Sequence, residues 1–156
     1  MRAPRGEIED AFIEYQRRVR AGDWAAWSEL FVEDAVYLEH EYGTFYGRDA
    51  IRRWIVDTMG KAHGMTFPVE WHVVDDDRVI WYTWNQFPQL PGHAASDFQF
   101  ATVSILRYAG GGRWASQEDI YNAKEADSVL TEYLRAAEDA GVNFDDTLQA
   151  LLDEER

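Results

Sequence analysis

The feature that most constrains the fold is a change in the spacing of apolar residues at Pro68. Upstream of this proline, apolar side chains recur at helical intervals, as in Ile8, Phe12 and Tyr15. Downstream of it they alternate with a period of two, which is typical of half-buried strands. Helices followed by long antiparallel strands predict an α+β domain.

Before Pro68 the sequence predicts three helices and one strand. Gly22 and Asp23 end the first helix and cap the second one. The predicted elements are a helix over residues 7–20, a helix over 24–31, a strand over 35–40, a turn over 43–47 and a helix that begins near residue 49.

After Pro68 the sequence predicts two long hairpins, separated by a proline-containing loop, and then a helical tail. The hairpins cover residues 69–86 and 97–121, the loop covers 87–96, and the tail holds helices over 123–141 and 145–152. With no internal repeat or low-complexity linker, residues 1–156 are predicted to form one domain, with a core over 7–122 and a helical extension over 123–156.

Composition and charge limit both the class of protein and the kinds of partner. Of the residues, 15% are aromatic, which is too many for a disordered chain and suggests that some rings line a cavity. The net charge of −14 disfavours nucleic acid and anionic membranes as partners. The chain has no cysteine and no 18-residue apolar run, so we expect a soluble, cytoplasmic protein without disulfides or thiolate chemistry.

Glu39 is the first candidate for chemistry. It lies inside the apolar strand 35–40, where a carboxylate is partly desolvated and its pKa rises toward the range useful for proton transfer. The alternative is a strand residue that pairs with an arginine such as Arg52.

Large side chains are predicted to wall a pocket for a flat, polycyclic or terpenoid ligand. By strand alternation, Tyr82 and Trp84 share one face of their strand, and Phe100 and Thr102 share one face of the next. Phe12 and Trp54 of the helices complete this set. The alternative for each residue is ordinary packing between sheet and helices.

Four segments of the chain are informative together: 21–24 (AGDW), 30–35 (LFVEDA), 47–52 (GRDAIR) and 112–114 (GRW). They resemble the ketosteroid isomerase-like superfamily, which includes nuclear transport factor 2 and the SnoaL-like polyketide cyclases. The resemblance covers roughly residues 7–122. It implies a cone-shaped, curved antiparallel sheet packed on three N-terminal helices (the cystatin-like or nuclear transport factor 2-like fold), with an apolar pocket between them and extra helices at the C-terminus.

The resemblance also implies roles for individual residues. In the isomerase branch a tyrosine, a carboxylate base and a protonated aspartate carry the chemistry. These positions correspond to Tyr15, Glu39 and Ser104, so the third acid is replaced by a serine. On the last strand the resemblance implies that Gln117, Asp119 and Tyr121 face the pocket, and the cyclases use a late-strand aspartate as acid/base. Asp119 is therefore a second candidate carboxylate, unless it is an exposed strand residue.

His72 is a further candidate because a dehydratase would use a histidine on this strand as general acid/base. The alternative is a structural histidine. No pair among the four histidines has metal-ligand spacing, and no glycine-rich phosphate loop occurs. We therefore expect neither a metal nor another cofactor.

These features favour a cofactor-free lyase or isomerase (a dehydratase, a cyclase or a ketosteroid isomerase-like enzyme) acting on a hydrophobic small molecule. Glu39 would be the base, Tyr15 the oxyanion donor and Asp119 the second acid/base. The alternative is a non-catalytic module that binds a small molecule or a protein. Epoxide hydrolysis ranks third because it needs an arginine in the pocket, and Arg107 lies by alternation on the face opposite Ser104. Aromatic strand faces predict a homodimer.

Overall fold

A curved, unclosed six-stranded sheet forms the centre of the computed structural model, which describes residues 2–62 and 64–142. Helices pack against this sheet, as the spacing of apolar residues predicts. In chain order the elements are α1 (Arg5–Ala21), α2 (Trp24–Ser28), β1 (Phe31–Glu39), β2 (Gly43–Tyr46), α3 (Arg48–Lys61), β3 (Val69–Asp75), β4 (Arg78–Gln86), a 3-10 turn (Ala95–Asp97), β5 (Gln99–Gly110), β6 (Arg113–Ile120) and α4 (Ala123–Asp139).

The strands lie in the order β2-β1-β6-β5-β4-β3. Four of the five pairings are antiparallel, but β1 and β6 run parallel. The expected curved, mainly antiparallel sheet is therefore found, and it contains this one parallel pairing. The short hairpin to β2 occupies one edge of β1, so the other edge pairs with the last strand, which runs in the same direction.

The hairpins and the helices predicted within the described residues are confirmed, with changes at some boundaries. Gly22 ends α1 in a left-handed conformation (φ 70°), and the Asp23 side chain caps α2 by accepting a hydrogen bond from the Ala26 amide at 3.0 Å. The second helix ends at Ser28 rather than at residue 31, because sheet pairing begins there: the Trp114 amide donates to the Leu30 carbonyl at 2.8 Å.

Two further sequence predictions differ from the structure or lie beyond it. The predicted turn over 43–47 contains the edge strand β2, which pairs with the end of β1. The predicted helix over 145–152 lies outside the described residues.

Two hydrophobic clusters position the helices. The larger cluster packs α1, α2 and α3 on one face of the sheet around the fully buried Phe12, Trp27 and Trp114. The smaller one holds α4 against the loop between β4 and β5, where the Tyr133 hydroxyl donates to the Pro88 carbonyl at 2.9 Å. A space remains between the two clusters. None of the described helices is long and apolar enough to cross a membrane.

Candidate functional site

A cavity of about 240 Å³ lies between the four helices and the inner face of the sheet. Side chains from β1, β4, β5 and β6 form one wall, and the helices form the other walls. The cavity is lined mostly by apolar and aromatic residues, with carboxylates among them. It is therefore a mainly apolar space with a few polar groups, which is the usual character of a small-molecule site.

Glu39 and Asp119 lie side by side in this cavity. The parallel register pairs Glu39 of β1 directly with Asp119 of β6, and both residues line the cavity. Neighbouring strands are about 4.8 Å apart, so the two carboxylates extend from adjacent backbone positions into one space. The two residues are far apart in the sequence, and the β1–β6 pairing alone brings them together.

Glu39 is 3% exposed and has no cationic partner among the described residues. It accepts hydrogen bonds from the Tyr121 hydroxyl at 3.1 Å and from the Glu41 amide at 3.0 Å. Burial raises the pKa of Glu39, the charge of Asp119 raises it further, and these two hydrogen bonds oppose the rise. The alternative partner, Arg52, instead contacts Glu29 at 3.5 Å on the surface.

Asp119 accepts hydrogen bonds from three side chains. The Ser104 hydroxyl donates at 2.6 Å and the Gln117 amide at 2.9 Å to the same oxygen, and the Tyr37 hydroxyl donates to the other oxygen. Burial raises the pKa of Asp119, and the three hydrogen bonds partly offset this rise. As with Glu39, no Lys or Arg in the described part of the chain forms a salt bridge with it.

Tyr15 takes part in the same hydrogen-bond network. Its hydroxyl is buried and donates to the Gln117 side-chain oxygen at 2.7 Å, and the Gln117 amide donates in turn to the Tyr37 hydroxyl at 2.9 Å. Burial raises the pKa of Tyr15 and of Tyr37 well above the ordinary value, so both hydroxyls stay protonated. The oxyanion-donor role predicted for Tyr15 needs a hydroxyl that is free to donate to the ligand. In this structure the Tyr15 hydroxyl already donates to Gln117.

Tyr37 is a site residue in contact with Asp119 that the sequence interpretation missed. It lines the cavity and contacts Asp119 directly. A signal was present, because Tyr37 is two positions before Glu39 and therefore shares its strand face.

Most of the other predicted site residues line the cavity as well. They are Trp54, Phe100, Thr102, Ser104, Gln117 and Tyr121. Four predicted residues do not line it, namely Phe12, His72, Tyr82 and Trp84.

Tyr82 and Trp84 lie on the outer face of the sheet, so their prediction as pocket residues is wrong. The Trp84 indole donates to Glu70 at 2.9 Å, and the Tyr82 ring stacks on Trp71 with centroids 5.7 Å apart. The alternate residues of β4 line the cavity instead; they are Trp81, Thr83 and Asn85. Alternation shows that β4 has two faces, but both faces carry aromatic residues, so composition does not tell which one faces inward.

Phe12 and His72 belong to the contact between α1 and the sheet. Phe12 is a buried core residue that packs against Trp81 with ring centroids 5.5 Å apart. His72 Nε2 lies 2.8 Å from a carboxylate oxygen of Glu9 on α1. His72 thus lies outside this cavity and instead lines a neighbouring one, together with Tyr15 and Trp81.

Neither a metal cluster nor a cavity arginine is found in the part of the chain that the structure describes. Among residues 2–62 and 64–142, no group of three or more His, Asp or Glu side chains converges as metal ligands do. Arg107 contacts Asp77 at 3.5 Å on the surface and does not line the cavity.

Comparison with known proteins identifies the family. A sequence model of the SnoaL-like domain matches residues 12–117, which is more than half of the chain. The chain belongs to the SnoaL-like domain family. No curated protein matches this SnoaL-like chain.

Several solved structures share the SnoaL-like fold. A protein assigned as a polyketide cyclase from Sinorhizobium meliloti is 26% identical, with a TM-score of 0.57, and the match covers 71% of this chain and 94% of that one. An epoxide hydrolase of the limonene epoxide hydrolase type from M. tuberculosis is 15% identical, with a TM-score of 0.67 and coverage of 84% and 94%. The protein TerC, crystallised with polyporic acid, is 17% identical, with a TM-score of 0.64 and coverage of 79% and 97%.

Proposed function

We propose that this SnoaL-like protein is a cofactor-free lyase or isomerase that performs acid–base chemistry on a hydrophobic small molecule. The observation that carries the proposal is the pair of neighbouring carboxylates, Glu39 and Asp119, in an aromatic cavity without a cationic partner among the described residues. Two carboxylates in such a place cannot both ionise cheaply, so we assign one proton and one negative charge to the pair.

This state provides a base and an acid together. Glu39 as the base takes a proton from a carbon next to a carbonyl group, or from a hydroxyl group. Asp119 in its protonated form gives a proton to the developing oxyanion or to a leaving hydroxyl group. Tyr37, Gln117 and Ser104 orient Asp119 through their hydrogen bonds.

Two other residues fix the positions of these groups. Tyr121 holds Glu39 through its hydroxyl at 3.1 Å. Tyr15 holds the Gln117 side chain, so we assign Tyr15 a positioning role rather than a direct contact with the oxyanion.

The size of the cavity supports a compact substrate. A cavity of about 150 Å³ is enough for benzene. The cavity of about 240 Å³ in this protein therefore accommodates a molecule of one or two rings, and a neighbouring cavity of about 700 Å³ shares Tyr15, Phe67 and Trp81 with it. Helix α4 limits the space, because Ala123, Ala126 and Leu130 border it. That TerC was crystallised with polyporic acid supports the binding of an organic molecule in a cavity of this fold.

A proton-abstraction probe tests the proposal before the natural substrate is known. The ring opening of 5-nitrobenzisoxazole begins with removal of a carbon-bound proton by a base, and this bicyclic compound has the size that the cavity suits. We expect wild type to accelerate the reaction, and Glu39→Gln to lower the rate about a hundredfold or more, because Gln cannot accept the proton.

A matched control is available on the last strand. Glu118→Gln removes the same charge from the position next to Asp119, but Glu118 bonds to His40 outside the cavity at 2.8 Å. This variant should keep the wild-type rate. A Glu39→Gln variant that keeps it as well, or a wild type no faster than the buffer, would refute a desolvated base in the cavity.

A second candidate is a non-catalytic binding module of the same fold. The observation that favours it is that the hydroxyls of Tyr15, Tyr37 and Ser104 already donate within the protein, which leaves fewer donors for a substrate. In this case the probe reaction would not be accelerated, although ligands would still bind.

We also propose that the outer face of the sheet forms a homodimer. One register row across four strands of this face is apolar, and its outermost residues are 46% and 45% exposed. The row consists of Trp71, Tyr82, Val103 and Ile120.

A further inference from the structure

The charge of the cavity wall is of one sign. Its described lining contains four carboxylates, namely Glu39, Glu41, Asp119 and Asp127, and no Lys, Arg or His. Glu41 and Asp127 are solvent-exposed and stand at the rim, whereas Glu39 and Asp119 lie inside. A ligand that enters the cavity therefore meets carboxylates first at the rim and then in the interior.

The same wall is rich in aromatic rings, whose faces attract cations. Three of these rings form what we call the aromatic corner: Trp54 has its ring centroid 4.9 Å from that of Tyr37 and 6.0 Å from that of Tyr42. All three line the cavity. Tyr37 and Tyr42 lie on either side of Glu39 in the sequence, and the Tyr37 hydroxyl donates to Asp119. The aromatic corner therefore adjoins the carboxylate pair.

A buried carboxylate without a partner is costly, and proteins normally pair such a charge or neutralise it. Neither of the inner carboxylates has a cationic partner among the described residues. When the pair shares one proton, one negative charge remains in the cavity. A ligand with one positive charge supplies the missing partner.

We infer that the ligand is a compact ring-bearing amine, protonated or quaternary, whose positive charge lies between the aromatic corner and the carboxylate pair of Glu39 and Asp119. This inference deepens the proposed function, since it names the chemical class of the substrate that the same site would process.

Three probes that share a benzene ring test the inference by charge alone. They are phenyltrimethylammonium, its neutral isostere tert-butylbenzene and the anion benzenesulfonate. Binding is measured by tryptophan fluorescence, since Trp54 lies in the aromatic corner. We expect phenyltrimethylammonium to bind about tenfold more tightly than tert-butylbenzene, and benzenesulfonate not to bind. The quaternary nitrogen keeps its charge at every pH.

Variants locate the charge that is recognised. Glu39→Gln and Asp119→Asn should each weaken phenyltrimethylammonium binding about tenfold and leave tert-butylbenzene binding nearly unchanged. Glu118→Gln is the matched control, because it removes one negative charge from the opposite face of β6, where Glu118 contacts His40. This control should keep the affinity for the cation and thereby exclude a general effect of the net charge of −14.

Two outcomes would overturn the inference: tert-butylbenzene or benzenesulfonate bind as tightly as the cation, or the Glu118→Gln control loses as much affinity as Asp119→Asn. The result is independent of the proton-transfer test. Cation binding without acceleration of 5-nitrobenzisoxazole ring opening would uphold the amine ligand and refute catalysis. Acceleration of the ring opening without a preference for the cation would support catalysis and refute the amine ligand.

Discussion

Glu39 shows how the face of a strand decides what a carboxylate can do. Its side chain enters the cavity, is 3% exposed and meets only neutral donors among the described residues. Glu118 lies one strand away on the other face and contacts His40 at 2.8 Å near solvent. Burial therefore raises the pKa of Glu39.

The raised pKa of Glu39 has a consequence for stability. Because the folded protein holds this proton more tightly than the unfolded chain does, the free energy of unfolding falls as the pH rises from the ordinary glutamate pKa through the raised one. Glu39→Gln has no carboxyl group to ionise at this position, so its free energy of unfolding does not fall in this way. We expect the variant to be more stable than wild type by about 1 kcal/mol at neutral pH, as is common when a destabilising group is removed from a functional site.

Urea unfolding at a series of pH values measures this difference. The stability gap between Glu39→Gln and wild type should close at about pH 4, where the wild-type glutamic acid is itself neutral. A Glu39→Gln variant that is less stable than wild type at neutral pH would mean that the ionised Glu39 is stabilised in the fold.

Among the elements, the parallel pair β1–β6 and the helix α4 do most to form the site. The strand pair sets Glu39 beside Asp119. Helix α4 then covers one side of the cavity with Ala123 and Ala126 from its first turn. The shape of the cavity on this side therefore depends on the stability of the first turn of α4.

Asn122 caps the first turn of α4. Its side chain accepts hydrogen bonds from the Lys124 amide at 3.1 Å and from the Glu125 amide at 3.3 Å. Asn122→Ala leaves these amides without a partner, so we expect a loss of about 1 kcal/mol in the free energy of unfolding and faster hydrogen exchange at the start of α4.

The control for this helix cap is Asn122→Ser, since serine is also a good cap and should retain most of the stability. Urea unfolding and hydrogen exchange of the three proteins give the comparison. Equal exchange rates in the first turn of α4 for Asn122→Ala and wild type would show that packing alone holds the helix.

For the molecule as a whole, the local spacing of apolar residues predicts the helices and strands, whereas the pairing of distant strands determines which residues meet in the cavity. The change of period at Pro68 gives the α+β class, and strand alternation puts Gln117, Asp119 and Tyr121 on one face. Alternation gives no information on which strand lies beside β1 or in which direction. For this reason the register of Glu39 with Asp119 could not be predicted from the residues alone.

The incorrect site predictions have a similar physical origin. In β4 both faces carry large aromatic residues, because one face lines the cavity and the other contacts Trp71 on the outside. Hydrophobicity then does not separate Trp81 from Tyr82 and Trp84. His72 was open to two interpretations, since its contact with Glu9 arises from the docking of α1 on β3 and leaves no local signal in the sequence.

The most direct test of the account is a titration of the two cavity carboxyl groups by carbon NMR with labelled Asp and Glu. The signals are assigned by their loss in Glu39→Gln and Asp119→Asn. We predict that both groups titrate above their ordinary ranges, and that replacing Asp119 lowers the pKa of Glu39 because the negative charge of Asp119 raises it. If both groups titrate in their ordinary ranges, independently of each other, they do not share a proton and the acid–base account is wrong.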